Sequence, residues 1–376
     1  VIDGATGETY TLTQDDVGTA ISVRASYTDD DGFDAEVTSA ATNAIINLND
    51  APTVDAALTS AADEADDAYT LDLLAGAADL DGDVLVVTGV SYTVDGAATG
   101  NDGADLPAGV TRTDATLSVD PTSAAFDGLA EGDTTVIEVS YTISDGNGGT
   151  VTQTQTVTIT GTNDAPVAAV AMDAATEDGT ALTGSVGSTD VDAGATASYA
   201  LDAAVAGLTL NTDGSYSFDP SNAAYQYLAE GETLDVVASF TVTDDQGATS
   251  SNTLTITVTG TNDAPVAAVA VDTATEDGAV ITGNVSSSDV DVLNTTASYA
   301  LDAAVAGLTM GTDGSYSFDP SNAAYQHLAA GETLDVVASY TVTDDQGATS
   351  SNTLTITVTG TNDAPVAAVA VDAATE

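Results

Sequence analysis

The phrase Asn-Asp-Ala-Pro begins at Asn49, Asn163, Asn262 and Asn362, at spacings of 114, 99 and 100 residues. Residues 241–272 recur unchanged at 341–372. The last two copies differ in length by one residue, just after Asp289-Val290-Asp291, and an insertion tolerated there marks a loop. Solenoid repeats run to roughly 20–50 residues, so this longer period is an array of whole domains. The phrase divides the chain into the back part of a domain at 1–50, complete units at 51–164, 165–263 and 264–363, and the first strand of another at 364–376. The start at Val1 and the stop at Ala-Thr-Glu, in mid-pattern, read as the edges of a window on a longer chain.

Inside a unit the hydrophobic period is two. In Thr253-Leu254-Thr255-Ile256-Thr257-Val258-Thr259 the aliphatics take one face and the threonines the other, which predicts a half-buried strand. Val236 through Thr243 reads the same way, as do Ile21, Val23, Ala25 and Tyr27. Turn signals lie between the strands, at Asp213-Gly214, Asp219-Pro220, Glu230-Gly231 and Gln246-Gly247. No helical period of useful length appears; Ala223–Leu228 has room for one turn. About seven short strands per unit predict an all-β chain of tandem immunoglobulin-like sandwiches.

Charge sets the second constraint. There are 59 acidic residues against two basic ones, Arg24 and Arg112, for a formal charge of −57. Two cations cannot organise so many anions into salt bridges, so the acids face water, protons or metal ions. Nucleic acid and anionic membrane are excluded as direct partners, because phosphate binding needs Lys and Arg. The absence of cysteine removes disulfides and thiolate chemistry. A hydrophobic fraction of 43% argues against disorder, and no apolar run reaches the length of a membrane span.

Of the acids, 48 are Asp and 11 Glu, a bias toward the short carboxylate that forms turns and ligates hard cations. Several recur in register: Glu177 with Glu276, Asp190 and Asp192 with Asp289 and Asp291, Glu232 with Glu332, Asp244 with Asp344, and Asp263 with Asp363. The diverged second unit offers Glu64, Asp79, Asp81, Glu131, Asp133, Asp145 and Asp164. In a sandwich of alternating strands these loops divide between two poles. Asp190, Asp192 and Asp244 fall at the pole of the preceding linker; Glu177, Glu230 and Glu232 fall at the opposite one. Carboxylates converging without a basic partner repel unless a cation sits among them, and calcium accepts six to eight oxygens in flexible geometry. Asp79-Leu80-Asp81-Gly82-Asp83 opens like an EF-hand loop, but Val84 and Val90 stand where that loop needs Gly and Glu.

Gly-Thr-Asn-Asp-Ala-Pro after an alternating Thr strand resembles the linker of cadherin-like domains, where an Asn/Asp-rich segment before Pro ligates calcium. The order of acids is similar too, with Glu177 14 residues after Asn163 and Asp190-Val191-Asp192 starting 27 residues after it. More narrowly, 165–263 and 264–363 resemble the VCBS and cadherin-like repeats of giant bacterial adhesins of the RTX type, exported by type I secretion. The resemblance implies tandem sandwiches arranged end to end as a rod, calcium (Ca2+) as the cofactor, and a secreted, cell-surface setting tied to adhesion and biofilms. Its partners would be neighbouring repeats of the same chain. The linker is shorter in ligands than the cadherin Asp-x-Asn-Asp-Asn, which implies fewer ions per junction.

Carried over by position, the resemblance gives the 262–263 junction Glu177, Glu230, Glu232, Asn262, Asp263, Asp289, Asp291 and Asp344. The 163–164 junction takes Glu64, Glu131, Asp133, Asn163, Asp164, Asp190, Asp192 and Asp244. The 49–50 junction takes Asp15, Asp16, Asn49, Asp50, Asp79, Asp81 and Asp145. Glu276, Glu332, Asn362 and Asp363 begin a further junction.

The bland readings are specific. An Asx before proline makes a turn, Glu230 and Glu232 suit a solvated turn, and Ala330 replaces the first of them in the later copy. Tyr216, Phe218 and Tyr225 read as core or turn-corner residues rather than sugar-stacking ones. Catalysis has little to work with: the sole histidine, His327, replaces Tyr227 of the previous copy, and there is no lysine. Two other functions remain open. The sandwiches themselves could bind glycans or other copies of the chain; alternatively, a halophile surface layer could use the acids for solvation, which predicts acids spread over strand faces. Here those faces are largely Thr and Ser.

Overall fold

The computed structural model describes residues 1–101, 105–291 and 296–365. The strand expected at the chain's end and the insertion after Asp291 lie outside the described residues. Among them the only helical element is a 3-10 turn, Gln14–Asp16. The chain forms two compact units: Val1–Ala165 with Asp190–Thr196, and Pro166–Thr189 with the chain from Ala197 on.

The first unit opens with a hairpin, Arg24–Thr28 against Asp34–Thr38. Every residue of Arg24–Thr28 is exposed, so the half-burial expected from Ile21, Val23, Ala25 and Tyr27 fails along this strand. No second sheet packs on the hairpin among the described residues, and Val23 and Tyr27 have nothing to bury against. The larger sheet of this unit runs in the order Leu58–Asp63, Thr150–Thr160, Thr134–Ser144, Val86–Val94, Ala97–Asn101. Leu58–Asp63 is parallel to Thr150–Thr160; the other pairs are antiparallel. A three-stranded sheet of Tyr69–Asp72, Thr116–Val119 and Val110–Thr113 closes over a core of Leu73, Tyr92, Leu117, Ile137, Ile143 and Ile159.

The second unit contains the same arrangement twice. A four-stranded sheet, ordered Ala171–Thr176, Thr249–Thr259, Thr233–Asp244, Ala197–Leu201, faces a three-stranded one of Leu182–Ser185, Ser215–Phe218 and Leu208–Leu210. One hundred residues on, Ala270–Thr275, Thr349–Thr359, Thr333–Thr343 and Ser298–Leu301 repeat the first sheet, and Ile281–Asn284, Ser315–Phe318 and Leu308–Met310 the second. Alternation buries Leu254, Ile256 and Val258 with Phe218, Phe240 and Val242, while the intervening threonines stay partly exposed. The segment at Ala223–Leu228 makes successive three-residue turns (Tyr225 N to Asn222 O, Leu228 N to Tyr225 O) rather than a helix. These are tandem β-sandwiches of the expected class.

Two devices shape the ends of the long strands. Gly161, Gly260 and Gly360 follow the strands that enter the last three linkers, and at Gly260 a Cβ would lie 2.4 Å from the Ala229 carbonyl and 2.5 Å from that of Leu228. Only glycine lets the strand end pass that close to the turn. Tyr216 covers Gly184 and donates to Asp173 Oδ2 at 2.7 Å; Tyr316 does the same over Gly283, to Asp272.

Candidate metal centre

Three side-chain types meet the linkers, each delivered by a different loop. The first is the Glu that ends the first long strand. Thr162 N donates to Glu64 Oε1 at 2.6 Å, Thr261 N to Glu177 Oε2 at 2.9 Å, and Thr361 N to Glu276 Oε2 at 2.9 Å. All three glutamates are buried. The parallel pairing of their strand with the strand entering the linker fixes this meeting, since Thr160, Thr259 and Thr359 are already paired to the residue before each Glu.

The second is the Asp-x-Asp loop, which takes the linker's aspartate amide. Asp50 N donates to Asp81 Oδ2 at 2.7 Å, Asp164 N to Asp192 Oδ2 at 2.9 Å, and Asp263 N to Asp291 Oδ2 at 2.9 Å. Within each loop the first Asp accepts from the second residue's amide, as Asp79, Asp190 and Asp289 do, so an Asx turn presents the second carboxylate.

The third is the Asp at the last hairpin. Asn49 Nδ2 donates to Asp145 Oδ2 at 2.8 Å and Asn262 Nδ2 to Asp344 Oδ2 at 3.0 Å. The other oxygen of Asp344 takes the amides of Gln346, Gly347 and Ala348, and Asp244 is held by the equivalent three. Asn163 is half-buried in the first unit.

Charge is concentrated where these loops meet. One ligand oxygen each from Glu64, Asp164 and Asp192 lies within 4.8 Å of the others, and so does one each from Asp79, Asp83 and Asp145. Glu64 Oε2, Asp79 Oδ2, Asp192 Oδ1, Asp263 Oδ2 and Glu276 Oε1 are buried with no hydrogen-bond partner among the described residues. Burial first, then Asp192, Asp127 and Asp190, push the Asp164 carboxyl above its ordinary value. Burial first, then Asp178, Asp291 and Asp289, do the same to Asp263. Glu177 is raised by burial above all, with Asp263, Asp178 and Asp291 adding to it against the Thr261 amide. Asp145 and Asp344 go the other way. The Asn49 amide leads in lowering Asp145; at Asp344 burial is the largest influence, and the hydrogen bonds from Asn262 and the hairpin amides outweigh it.

The remaining sequence-predicted residues have local partners. Asp16 accepts from Thr13 N and Tyr10 at 2.8 Å each and caps its own 3-10 turn, and Asp15 is exposed. The side chain of that turn that reaches Asp81 is Gln14, at 2.9 Å. Glu131, Asp133, Glu230 and Glu332 are exposed. Glu232 and Glu332 accept from Ala229 N and Ala329 N three residues back, closing the turn beside Gly260 and Gly360. Asn362 and Asp363 are exposed, with Asn362 Nδ2 donating to the Asp363 carbonyl. Asp83, Asp127, Asp178 and Gln226 stand outside the ligand sets that the resemblance implies. Asp83 accepts from Asn147 Nδ2 at 2.8 Å. Asp127 and Asp178 act on Asp164 and Asp263 through their charge.

The residues fit a hard divalent cation: oxygen donors only, several buried without partners, and few bases in reach. Arg24 pairs with Glu36 at 2.8 Å and Arg112 donates to the Asp114 carbonyl. Calcium bound there would supply the positive charge that these oxygens lack.

Comparison with known proteins places the sandwiches. The bacterial cadherin-like domain matches residues 163–260 and 262–360, and the cadherin-like domain matches 48–160. No curated protein matches the chain in sequence. Among solved structures, mouse cadherin-23 EC22-24 is 14% identical, with 84% of this chain and 100% of that one covered, at a TM-score of 0.47. A PcdhgB3 EC1-4 structure is 15% identical over 92% and 84%, with a TM-score of 0.47. Drosophila N-cadherin EC1-4 is 16% identical over 81% and 74%, with a TM-score of 0.33.

Proposed function

This chain belongs to the bacterial cadherin-like domain family, and from that membership and the carboxylate geometry we propose that it is a calcium-stiffened stalk segment of a secreted, cell-surface adhesin. In this reading 51–164, 165–263 and 264–363 are successive sandwiches that project a distal binding domain. The reading extends to giant type I secreted adhesins with VCBS repeats, which the repeats at 165–263 and 264–363 resemble. Cadherin-like domains are structural adhesion modules that generally bind calcium at their linkers. No helix among the described residues is long and apolar enough to cross a membrane.

One observation carries the proposal. Glu64 and Asp192, each 7% exposed, keep an oxygen without a hydrogen-bond partner in a cluster completed by Asp164. A buried carboxylate oxygen is costly to leave unmatched, and a divalent ion answers several at once. Metal-free, the like charges push the loops apart; an ion draws linker, Glu strand and Asp-x-Asp loop together and fixes the angle of the chain there. Extracellular modules hold calcium with Kd of roughly 10⁻⁴–10⁻³ M, so such a chain stiffens outside the cell and stays loose within it. Calorimetric titration of the full chain tests this. Calcium binding in that range, with sodium inert, supports the reading, and absence of calcium heat and of any calcium-dependent rise in Tm refutes it.

A second reading, lateral association of copies, draws on a repeated apolar stripe. Val167, Val170 and Met172 are 65%, 63% and 80% exposed, and Val266, Val269 and Val271 repeat them. Sedimentation that stays monomeric in calcium would set it aside.

A further inference from the structure

The same carboxylate oxygen has different company at two of the linkers. Asp192 Oδ1 is buried with no hydrogen-bond partner, whereas Asp81 Oδ1 accepts from Gln14 Nε2 and from Asn47 Nδ2, each at 2.9 Å. Gln14 Nε2 also donates to Asn47 Oδ1 at 3.1 Å, so the two amides hold each other as well as the carboxylate. The second oxygen acts alike in both places, taking the Asp50 amide at 2.7 Å and the Asp164 amide at 2.9 Å.

Gln14 is set in place by the turn that carries it. Asp16 is buried and accepts from Thr13 N and the Tyr10 hydroxyl, and Val17 N closes back on Gln14 O at 3.1 Å. Gly18 N donates to Ile45 O and Ile45 N to Thr19 O, both at 2.8 Å, which ties the turn to the segment that reaches Asn47 two residues later. The other linkers have Gly161, Gly260 and Gly360 where this one has Asn47, so they carry no side chain for such a bond. Hydrogen bonds to an ionised carboxylate are stronger than those between neutral groups. The Asp50 amide first, then Asn47 and Gln14, hold the Asp81 carboxyl below its ordinary value against burial and the charge of Asp145.

We propose that Gln14 and Asn47 form a side-chain clamp on Asp81 that holds the 49–50 linker against the Asp-x-Asp loop of the following sandwich with no cation at that carboxylate. The amide hydrogens satisfy the oxygen and join the turn at Gln14–Asp16, the linker and the loop in one network. The clamp stands apart from the calcium reading, because it uses only donors that the chain itself supplies. Its consequence is a chain of unlike joints: the 49–50 joint is set once the chain folds, with or without metal, while the unmatched oxygens of Glu64 and Asp192 at 163–164 have no such donors.

Hydrogen exchange of the full chain in chelator tests it, read at the Asp50 and Asp164 amides. Both sit in the same Asn-Asp-Ala-Pro context, so their rates differ through structure and not through neighbouring side chains. In the wild type the Asp50 amide should exchange more slowly than that of Asp164. Gln14→Met, which keeps the length of the side chain without its donors, and Asn47→Ala should each speed exchange at Asp50 several-fold, and the pair together roughly tenfold or more, as expected for lost hydrogen bonds to a charged group. The Asp164 amide and the core strand at Leu117 should not change in either variant, which separates loss of the clamp from loss of the fold; two single variants keep the test readable if one folds poorly. A wild-type Asp50 amide that exchanges as fast as Asp164 in chelator, or equal Asp50 rates in wild type and variants, overturns the inference. Because every arm is metal-free, either result leaves the calcium reading to its own titration.

Discussion

Replacing Asp164 by Asn should change stability in opposite directions with and without calcium. The side chain is half-buried, its carboxyl is raised by burial and by Asp192, Asp127 and Asp190, and the link to Asp192 is made by its backbone amide, which the substitution keeps. In metal-free buffer the variant loses an unfavourable charge at constant shape and should melt higher than wild type. In calcium it loses a ligand. A doubly charged ion about 4 Å from one carboxylate, in a water-like dielectric, gains about 2 kcal/mol, or roughly thirtyfold in Kd. At calcium one hundred times the wild-type Kd, one site adds about 2.7 kcal/mol to stability, and the weakened site adds about 0.9. The difference of about 1.9 kcal/mol lowers Tm by roughly 4–8 °C in a unit of this size. Scanning calorimetry in chelator and in excess calcium reads both signs. A Tm that falls equally in the two buffers would refute the argument, because it would make Asp164 a structural residue and not a ligand.

Three further outcomes follow from the same geometry. Gly260→Ala forces a Cβ to 2.4 Å from the Ala229 carbonyl and should cost about 1–3 kcal/mol, displacing Thr261 from Glu177 and weakening calcium binding at that linker; a wild-type Tm would contradict it. Metal-free stability should rise as pH falls from neutral toward the ordinary carboxyl values of 4.5 for Glu177 and 3.8 for Asp164 and Asp263. Over that window the folded chain holds more protons than the unfolded one, so stability falls as pH rises. Below 3.8 the sign reverses, as Asp145 and Asp344, lowered in the fold, must take up protons. A metal-free Tm that is flat or falls between neutrality and mild acid would count against the clusters. Tyr216→Phe removes the donor to Asp173 while keeping the ring over Gly184, and should cost about 1 kcal/mol without altering calcium affinity; a change in calcium affinity would contradict it.

The fold was legible wherever one face of a strand is buried. Thr253–Thr259 carries its period of two openly, and so does its paired strand. The hairpin of Arg24–Thr28 carries the same period but is exposed throughout, since alternation records a capacity for burial and not the presence of a covering sheet. The linker carboxylates that recur in register could be picked out because their positions repeat. Recurrence is no filter where the sites differ: Asp127 and Asp83 have Gln226 and Gly194 at the matching places, so no repeat of an acid marks them. Gln226 was invisible to a search for acids. Recurrence also favoured Glu232 and Glu332, whose carboxylates serve the turn that Gly260 and Gly360 pack against.

The most direct test of the central claim is small-angle scattering of the whole chain during a calcium titration, with sodium matched in ionic strength. Stiffening predicts a longer maximum dimension and narrower distance distribution at millimolar calcium, with no such change in sodium. Sodium that does as well as calcium would make the acids a solvation coat screened by any salt, and the stalk mechanism would be wrong.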